Sequence, residues 1–188
     1  MLKLYLGPMY SGKTTELIRN YNRFKKYNQL IIDYNTEYNY NSLKIGEWDE
    51  LQTTLCNHNS QEIHCIKMIN LSNIYKYYDL SDIKYIHINE AQFFTNLKDI
   101  VIQLVEQKNI NVYLYGLDGD FKRNTFGELL SLIPFCDSIT KLKGICNNCD
   151  NNSLFSHRIC EGSEQVLIND SNEDKYIPLC RKCYINKK

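Results

Sequence analysis

No stretch of this chain holds the ~20 consecutive apolar residues of a membrane-spanning helix, and its N-terminus has no charged-then-apolar leader. Leu2 already opens a strand-like run, which leaves no room for a targeting segment, so a soluble cytoplasmic protein is expected. Neither sign of charge is in excess: 22 Lys plus Arg face 22 Asp plus Glu. Without a global field, neither nucleic acid nor an anionic membrane is expected as a partner. Alanine and glycine are few, and the many Asn residues form no low-complexity tract. Cysteine, by contrast, is abundant, with eight in 188 residues. In a reducing compartment that number argues for metal ligands or free thiols rather than disulfides. The length suits one ordinary domain with its own core, plus a small appendage.

The apolar run Leu2–Leu6 leads into Gly7-Pro8-Met9-Tyr10-Ser11-Gly12-Lys13-Thr14, and a helical pattern begins near Thr14. These residues satisfy G-x-x-x-x-G-K-S/T in the strand, loop and helix setting that a phosphate-binding loop requires. The two glycines permit a tight turn, so backbone N–H groups converge on phosphate oxygens at a positive helix end. Lys13 brings a cation to the β- and γ-phosphates, and the Thr14 hydroxyl is a ligand for Mg²⁺. A nucleoside triphosphate is the expected ligand.

Leu17, Ile18, Tyr21 and Phe24 then recur at helical spacing, and Leu30-Ile31-Ile32 reads as a short buried strand. Residues 34 to about 60 are polar and poorly periodic, as a functional loop would be. The strand Ile83–Ile88 delivers Asn89 and Glu90 at its carboxyl end, where open α/β sheets bind ligands. Leu97–Gln107 returns to helical period, and Ile110–Tyr115 is a strand running into Gly116-Leu117-Asp118-Gly119-Asp120-Phe121. The alternation predicts an α/β core of the P-loop NTPase type (RecA-like), a doubly wound parallel sheet over residues 1–144. From about Ile145 the alternation stops. Cys146-x-x-Cys149 and Cys180-x-x-Cys183 supply four thiolates for tetrahedral Zn²⁺, and residues 145–188 are expected to form a small zinc-binding domain. Two redox dithiols or plain buried cysteines are the competing readings, although a redox motif should open a helix after a strand. Cys56, Cys65, Cys136, Cys160 and the four histidines lack ligand-pair spacing and are read as structural.

Four segments carry a family resemblance, in order and over nearly the full length: Gly7–Leu17, Ile88–Phe94, Leu117–Arg123 with Phe126-Gly127, and Cys146–Cys149 with Tyr176–Tyr184. Together they resemble the type II thymidine kinases, the zinc-containing cytosolic class also found in large DNA viruses and bacteria. The resemblance implies transfer of the ATP γ-phosphate to the 5′-hydroxyl of thymidine, giving dTMP, with Mg²⁺ and structural Zn²⁺ as cofactors. It implies Glu90 as catalytic base, and Arg123 is read as a phosphate-facing, nucleotide-binding group. Met9, Phe93, Leu117, Phe121 and Phe126 would line the nucleoside pocket. A lasso loop between the knuckles, roughly Asp150–Leu179, would cover the nucleoside through Ser156, Val166, Leu167, Ile168, Asn169, Asp170 and Tyr176. Feedback inhibition by dTTP, a homodimer or homotetramer, and a cytoplasmic location (the host's, if viral) are implied as well.

Two departures stand out. The family Asp before the catalytic Glu, which helps hold hydrated Mg²⁺, is Asn89 here. Asp33-Tyr34-Asn35-Thr36-Glu37-Tyr38-Asn39-Tyr40 occupies the place of a family K-Y-x-x-D-x-R-Y pattern, so Asn39 replaces an Arg, with Lys44 as a nearby basic residue. They leave open a catalytically impaired homologue that still binds nucleotide or nucleoside. A zinc-containing P-loop ATPase acting on DNA is a further alternative.

Overall fold

The computed structural model describes residues 1–34, 52–56, 60–166 and 175–187. Strand β1 (Leu2–Leu6) is buried on both sides: Leu2, Leu4 and Leu6 enter one core cluster and Tyr5 another. A near-continuous apolar strand of this kind belongs in a sheet covered on both faces. The chain continues through α1 (Lys13–Arg23), β2 (Gln29–Tyr34), β3 (Gln52–Cys56), β4 (Glu62–Met68), α2 (Ile74–Tyr77), β5 (Tyr85–Ile88), α3 (Leu97–Ile102), β6 (Asn111–Gly116) and β7 (Ser138–Lys141). These strands form a seven-stranded sheet in the order β3-β4-β2-β5-β6-β1-β7. Its pairings are parallel except at β3, which runs antiparallel to β4. The expected α/β architecture is therefore the observed one.

One face packs Leu4, Ile32, Ile86, Ile88 and Leu114 against α2, α3 and a 3₁₀ segment, Leu129–Phe135. On the other, Leu17 and Ile18 of α1 cover Tyr5, Ile31, Tyr113 and Tyr115. The register pairs Ile32 with Ile88, Ile88 with Leu114, and Leu6 with Gly116. The segments that follow β1, β2, β5 and β6 consequently leave the sheet along a single edge.

Two elements differ from the sequence reading. The helical stretch Leu97–Gln107 is α3 followed by a π-helical turn, Gln103–Gln107, which keeps Leu104 buried. Within the span read as loop, residues 52–56 form β3, which pairs with β4. Leu55 and Cys65 are the buried residues these strands turn toward α1, too sparse a pattern to read as alternation. Glu37, Asn39 and Lys44 lie outside the described residues.

Beyond the sheet come β8 (Gly144–Ile145), β9 (Asn152–Ser153), β10 (Phe155–Arg158), β11 (Tyr176–Leu179) and α4 (Arg181–Asn186). Two antiparallel ribbons, β8/β9 and β10/β11, accompany a small cluster of Cys146, Leu179, Cys180 and Tyr184. No helix among the described residues is long and apolar enough to cross a membrane.

A polar chain crosses the α1-covered face. Gln29 Nε2 donates to Tyr21 O at 3.0 Å, which leaves Gln29 Oε1 to accept from His87 Nε2 at 3.1 Å. His87 Nδ1 then accepts from the Tyr115 hydroxyl (3.2 Å), whose oxygen accepts from Asn20 Nδ2 (3.3 Å). Burial pushes the His87 pKa down to about 3. The unfolded chain takes up this proton near pH 6.5 and the native chain only near 3, so stability is lost as pH falls through that window. Between pH 6.5 and 5 the loss from this group should be about 2 kcal/mol. Urea unfolding at the two pH values should show it, and His87→Gln should remove that part of the pH dependence.

Candidate active site

The loop after β1 is held tightly. Gly7 N–H donates to Gly116 O at 3.3 Å, and a Cβ on Gly7 would sit 2.7 Å from both Leu142 O and Ser11 Oγ. Tyr10 (φ 61°) and Gly12 (φ 81°) take left-handed conformations, and α1 starts at Lys13 without a side-chain cap. Lys13 is buried, and its Nζ donates to Pro8 O at 2.8 Å and Gly7 O at 3.3 Å. Burial lowers its pKa, while the charges of Glu90 and Asp118 oppose that shift. Beside it, the Ser11 hydroxyl is buried without a partner among the described residues. A buried donor of that kind calls for an acceptor, which a phosphate oxygen would supply. Thr14 is half-buried in the first turn of α1.

Glu90 follows β5 at φ 48° and ψ 40°, a left-handed backbone that costs a residue with a Cβ roughly 1–3 kcal/mol. Gln92, 2% exposed, anchors the turn. Its Nε2 donates to Glu90 Oε2 at 2.6 Å, and its Oε1 accepts the Leu117 N–H at 3.0 Å. Glycine is required nearby: a Cβ on Gly127 (φ 59°) would lie 2.0 Å from Gln92 O, and one on Gly116 would lie 2.6 Å from Gln92 Oε1. Asn89 is buried, and its Nδ2 donates to Asp33 Oδ1 at 2.8 Å. Burial raises the Asp33 pKa, and the Asn89 hydrogen bond partly offsets this. Asp118, after β6, pairs with Lys141 of β7 at 2.6 Å.

The residues expected around a nucleoside fall into linked groups. Phe93 stacks on Tyr34 (centroids 5.0 Å apart) and meets Phe126 edge-on at 5.2 Å. Met9 N–H donates to Ser156 Oγ of β10 at 2.9 Å, joining the phosphate loop to the C-terminal ribbon. Phe121 lies under the Arg158 guanidinium at 3.7 Å, and its carbonyl accepts from Tyr184 Oη at 2.6 Å. Arg158, itself buried, donates to Tyr176 Oη at 2.7 Å and Glu164 O at 2.6 Å. Gln165 Nε2 reaches Asp120 Oδ2 at 3.0 Å. Val166 is exposed, whereas Leu167, Ile168, Asn169 and Asp170 lie outside the described residues.

Arg123 takes a left-handed backbone conformation, at φ 69°. Its guanidinium stands over the rings of Tyr184 (4.8 Å) and Phe155 (5.5 Å). Sequence reasoning passed over Gln92, Asp33, Arg158 and Gln165 as site residues. Gln92 sat inside the quoted Ile88–Phe94 segment, and Asp33 was visible as a charge closing an apolar strand. Arg158 and Gln165 carried no local signal.

The sulfur atoms of Cys146, Cys149, Cys180 and Cys183 all lie within 4.8 Å of one another. Tetrahedral Zn–S bonds of about 2.3 Å separate sulfurs by about 3.8 Å. The Cys149–Cys180 and Cys149–Cys183 separations of 3.5 and 3.4 Å suit such a centre. Hydrogen bonding from the Asn151 backbone N–H pulls the Cys149 thiol down to about 6, toward the thiolate that a metal needs. Two separate redox dithiols would not gather four sulfurs into one cluster, so the donor set fits zinc.

The sheet order and the loop after β1 place the chain among the P-loop α/β proteins. Within that class the chain belongs to the thymidine kinase family, whose model, described as "Thymidine kinase", matches residues 1–184. It is similar to the thymidine kinase of Choristoneura fumiferana entomopoxvirus, with 35% identity covering 97% of this chain and 95% of that protein. The thymidine kinase of vaccinia virus (strain Western Reserve) is 31% identical over 98% of this chain and 97% of its own. That of monkeypox virus is 30% identical over 98% and 97%.

Zinc content tests the sulfur cluster. Protein purified from zinc-supplied cells should carry about one zinc per chain by elemental analysis. Cys149→Ser should lose most of it and lower the melting temperature.

Proposed function

We propose that this chain phosphorylates thymidine at its 5′-hydroxyl, using ATP and releasing dTMP and ADP. The carrying observation is Glu90: a carboxylate fixed by Gln92 at the end of β5, within Coulombic reach of the buried Lys13. Phosphoryl transfer asks the protein mainly for positioning and charge. The backbone N–H groups of residues 11–14 and the Lys13 ammonium bind the triphosphate. Gln92 holds one Glu90 oxygen, which leaves the other to take the proton of the attacking hydroxyl. Thr14 and, through water, Asn89 would hold Mg²⁺, which neutralises charge on the β- and γ-phosphate oxygens.

Met9, Phe93, Leu117, Phe121 and Phe126 form the nucleoside side of the proposed pocket. Ser156, Tyr176 and residues 166–170 are assigned to the covering loop, and Arg123 to the nucleotide's phosphates. The zinc cluster is assigned a structural task, fixing β10 and β11 over the core, with residues 1–144 and 145–188 as the two working units. Inhibition by dTTP, homo-oligomeric assembly and a cytoplasmic location are supported by the family resemblance.

Purified protein given ATP, Mg²⁺ and labelled thymidine should yield dTMP. Absence of product across several nucleosides and divalent metals would overturn the assignment. Glu90→Gln should lower kcat at least about 10²-fold with little change in the KM for ATP. Gln92→Ala, which frees Glu90 without removing it, should lower kcat about tenfold or more.

A further inference from the structure

Residue 89 follows β5, at the reacting edge of the sheet, with an amide where a metal's water shell would gain from a charge. The next strand supplies that charge. Ile32 pairs with Ile88 in register, so Asp33, within β2, and Asn89, just past β5, stand side by side. They are 8% and 3% exposed, and Asn89 N–H is also fixed, donating to Ile32 O at 2.8 Å. Asn89 Nδ2 donates to Asp33 Oδ1 at 2.8 Å. A carboxylate can only accept, so this contact sets the amide one way round: the NH₂ group is committed to Asp33, and Oδ1 remains as an acceptor.

Burying a carboxylate is costly unless a cation or several donors compensate. Among the described residues no Lys or Arg ion pair reaches Asp33, although Lys67 attracts it at longer range. On its own strand the Tyr34 backbone N–H donates to it, whereas Glu90 across the edge repels it. A hydrated divalent cation at the triphosphate would reverse that balance. The partnerless Ser11 hydroxyl and the Thr14 hydroxyl fit the same occupant, as oxygen groups for its phosphate and water shell.

We propose that Asp33 is a positioning residue for the metal: it orients the Asn89 amide with its oxygen as acceptor and supplies, one strand away, the negative charge that residue 89 lacks. The pair acts as a relocated carboxylate. The assignment rests on the phosphotransfer reading above and departs from it in naming Asp33.

Mn²⁺ serves as the probe, its binding to the full chain with ADP present followed by the electron paramagnetic resonance signal of free Mn²⁺. Asp33→Asn keeps the size and a hydrogen-bonding partner for Asn89 but removes the charge. It should weaken Mn²⁺ binding about tenfold or more, with ADP affinity in EDTA unchanged. The swap Asp33→Asn with Asn89→Asp restores a carboxylate to the pair in the opposite order and should recover wild-type Mn²⁺ binding. Equal Mn²⁺ affinity in wild type and Asp33→Asn would overturn the proposal. A loss that the swap fails to recover would overturn it too, since packing damage would then account for the effect. Wild-type protein that forms dTMP but shows no Asp33 effect separates failure here from failure of the kinase reading. Wild-type protein with neither dTMP formation nor ADP-dependent Mn²⁺ binding removes both.

Discussion

Glu90 is kept on an unfavourable backbone conformation by a single buried amide, that of Gln92, and the arrangement of the reacting edge follows from that restraint. The amide spans two strand ends, taking the Leu117 N–H after β6 and giving its own N–H to the carboxylate after β5. A buried amide satisfied on both sides has little freedom to move, and loss of either partner would leave an unpaired polar group inside the protein. Gly116 and Gly127 are the steric counterpart, since a methyl group on either would enter the volume of Gln92. The Leu117–Gly127 stretch therefore serves the carboxylate indirectly, by making room for the residue that holds it.

The C-terminal ribbons are joined to this edge by different physics. Guanidinium planes over aromatic rings, Arg158 on Phe121 and Arg123 on Tyr184, combine with hydrogen bonds from Tyr184 and Gln165 to the 120–121 region. Such stacking tolerates small sliding while resisting separation. The sulfur cluster sets the shape of the ribbons, and the cation–ring contacts set where they rest on the core.

The phosphate loop was legible in the sequence because its chemistry depends on contiguous residues, and the strand and helix alternation because its period is local. The two Cys-x-x-Cys pairs were equally plain, although only the fold shows that they converge. Strand β3 was obscured by having few apolar residues and β4 by an alternation that breaks at Ile66, since a strand near a sheet edge needs little burial to be kept. The tie of Gln92 to Leu117, the Asp33–Asn89 contact and the Arg158–Phe121 stacking depend on neighbours distant in sequence, which no periodicity encodes. The aromatic rings under Arg123, from β10 and α4, are likewise remote in sequence.

The bond from Met9 N–H to Ser156 Oγ makes one backbone group of the phosphate loop answer to a residue of β10. Any occupant of the loop that strengthens or weakens this bond changes the free energy of the ribbon's position by the same amount. Thermodynamic reciprocity then requires an occupant beneath the ribbon to alter affinity at the loop by an equal factor. Such a coupling would run through a hydroxyl group and would need no large motion to carry it.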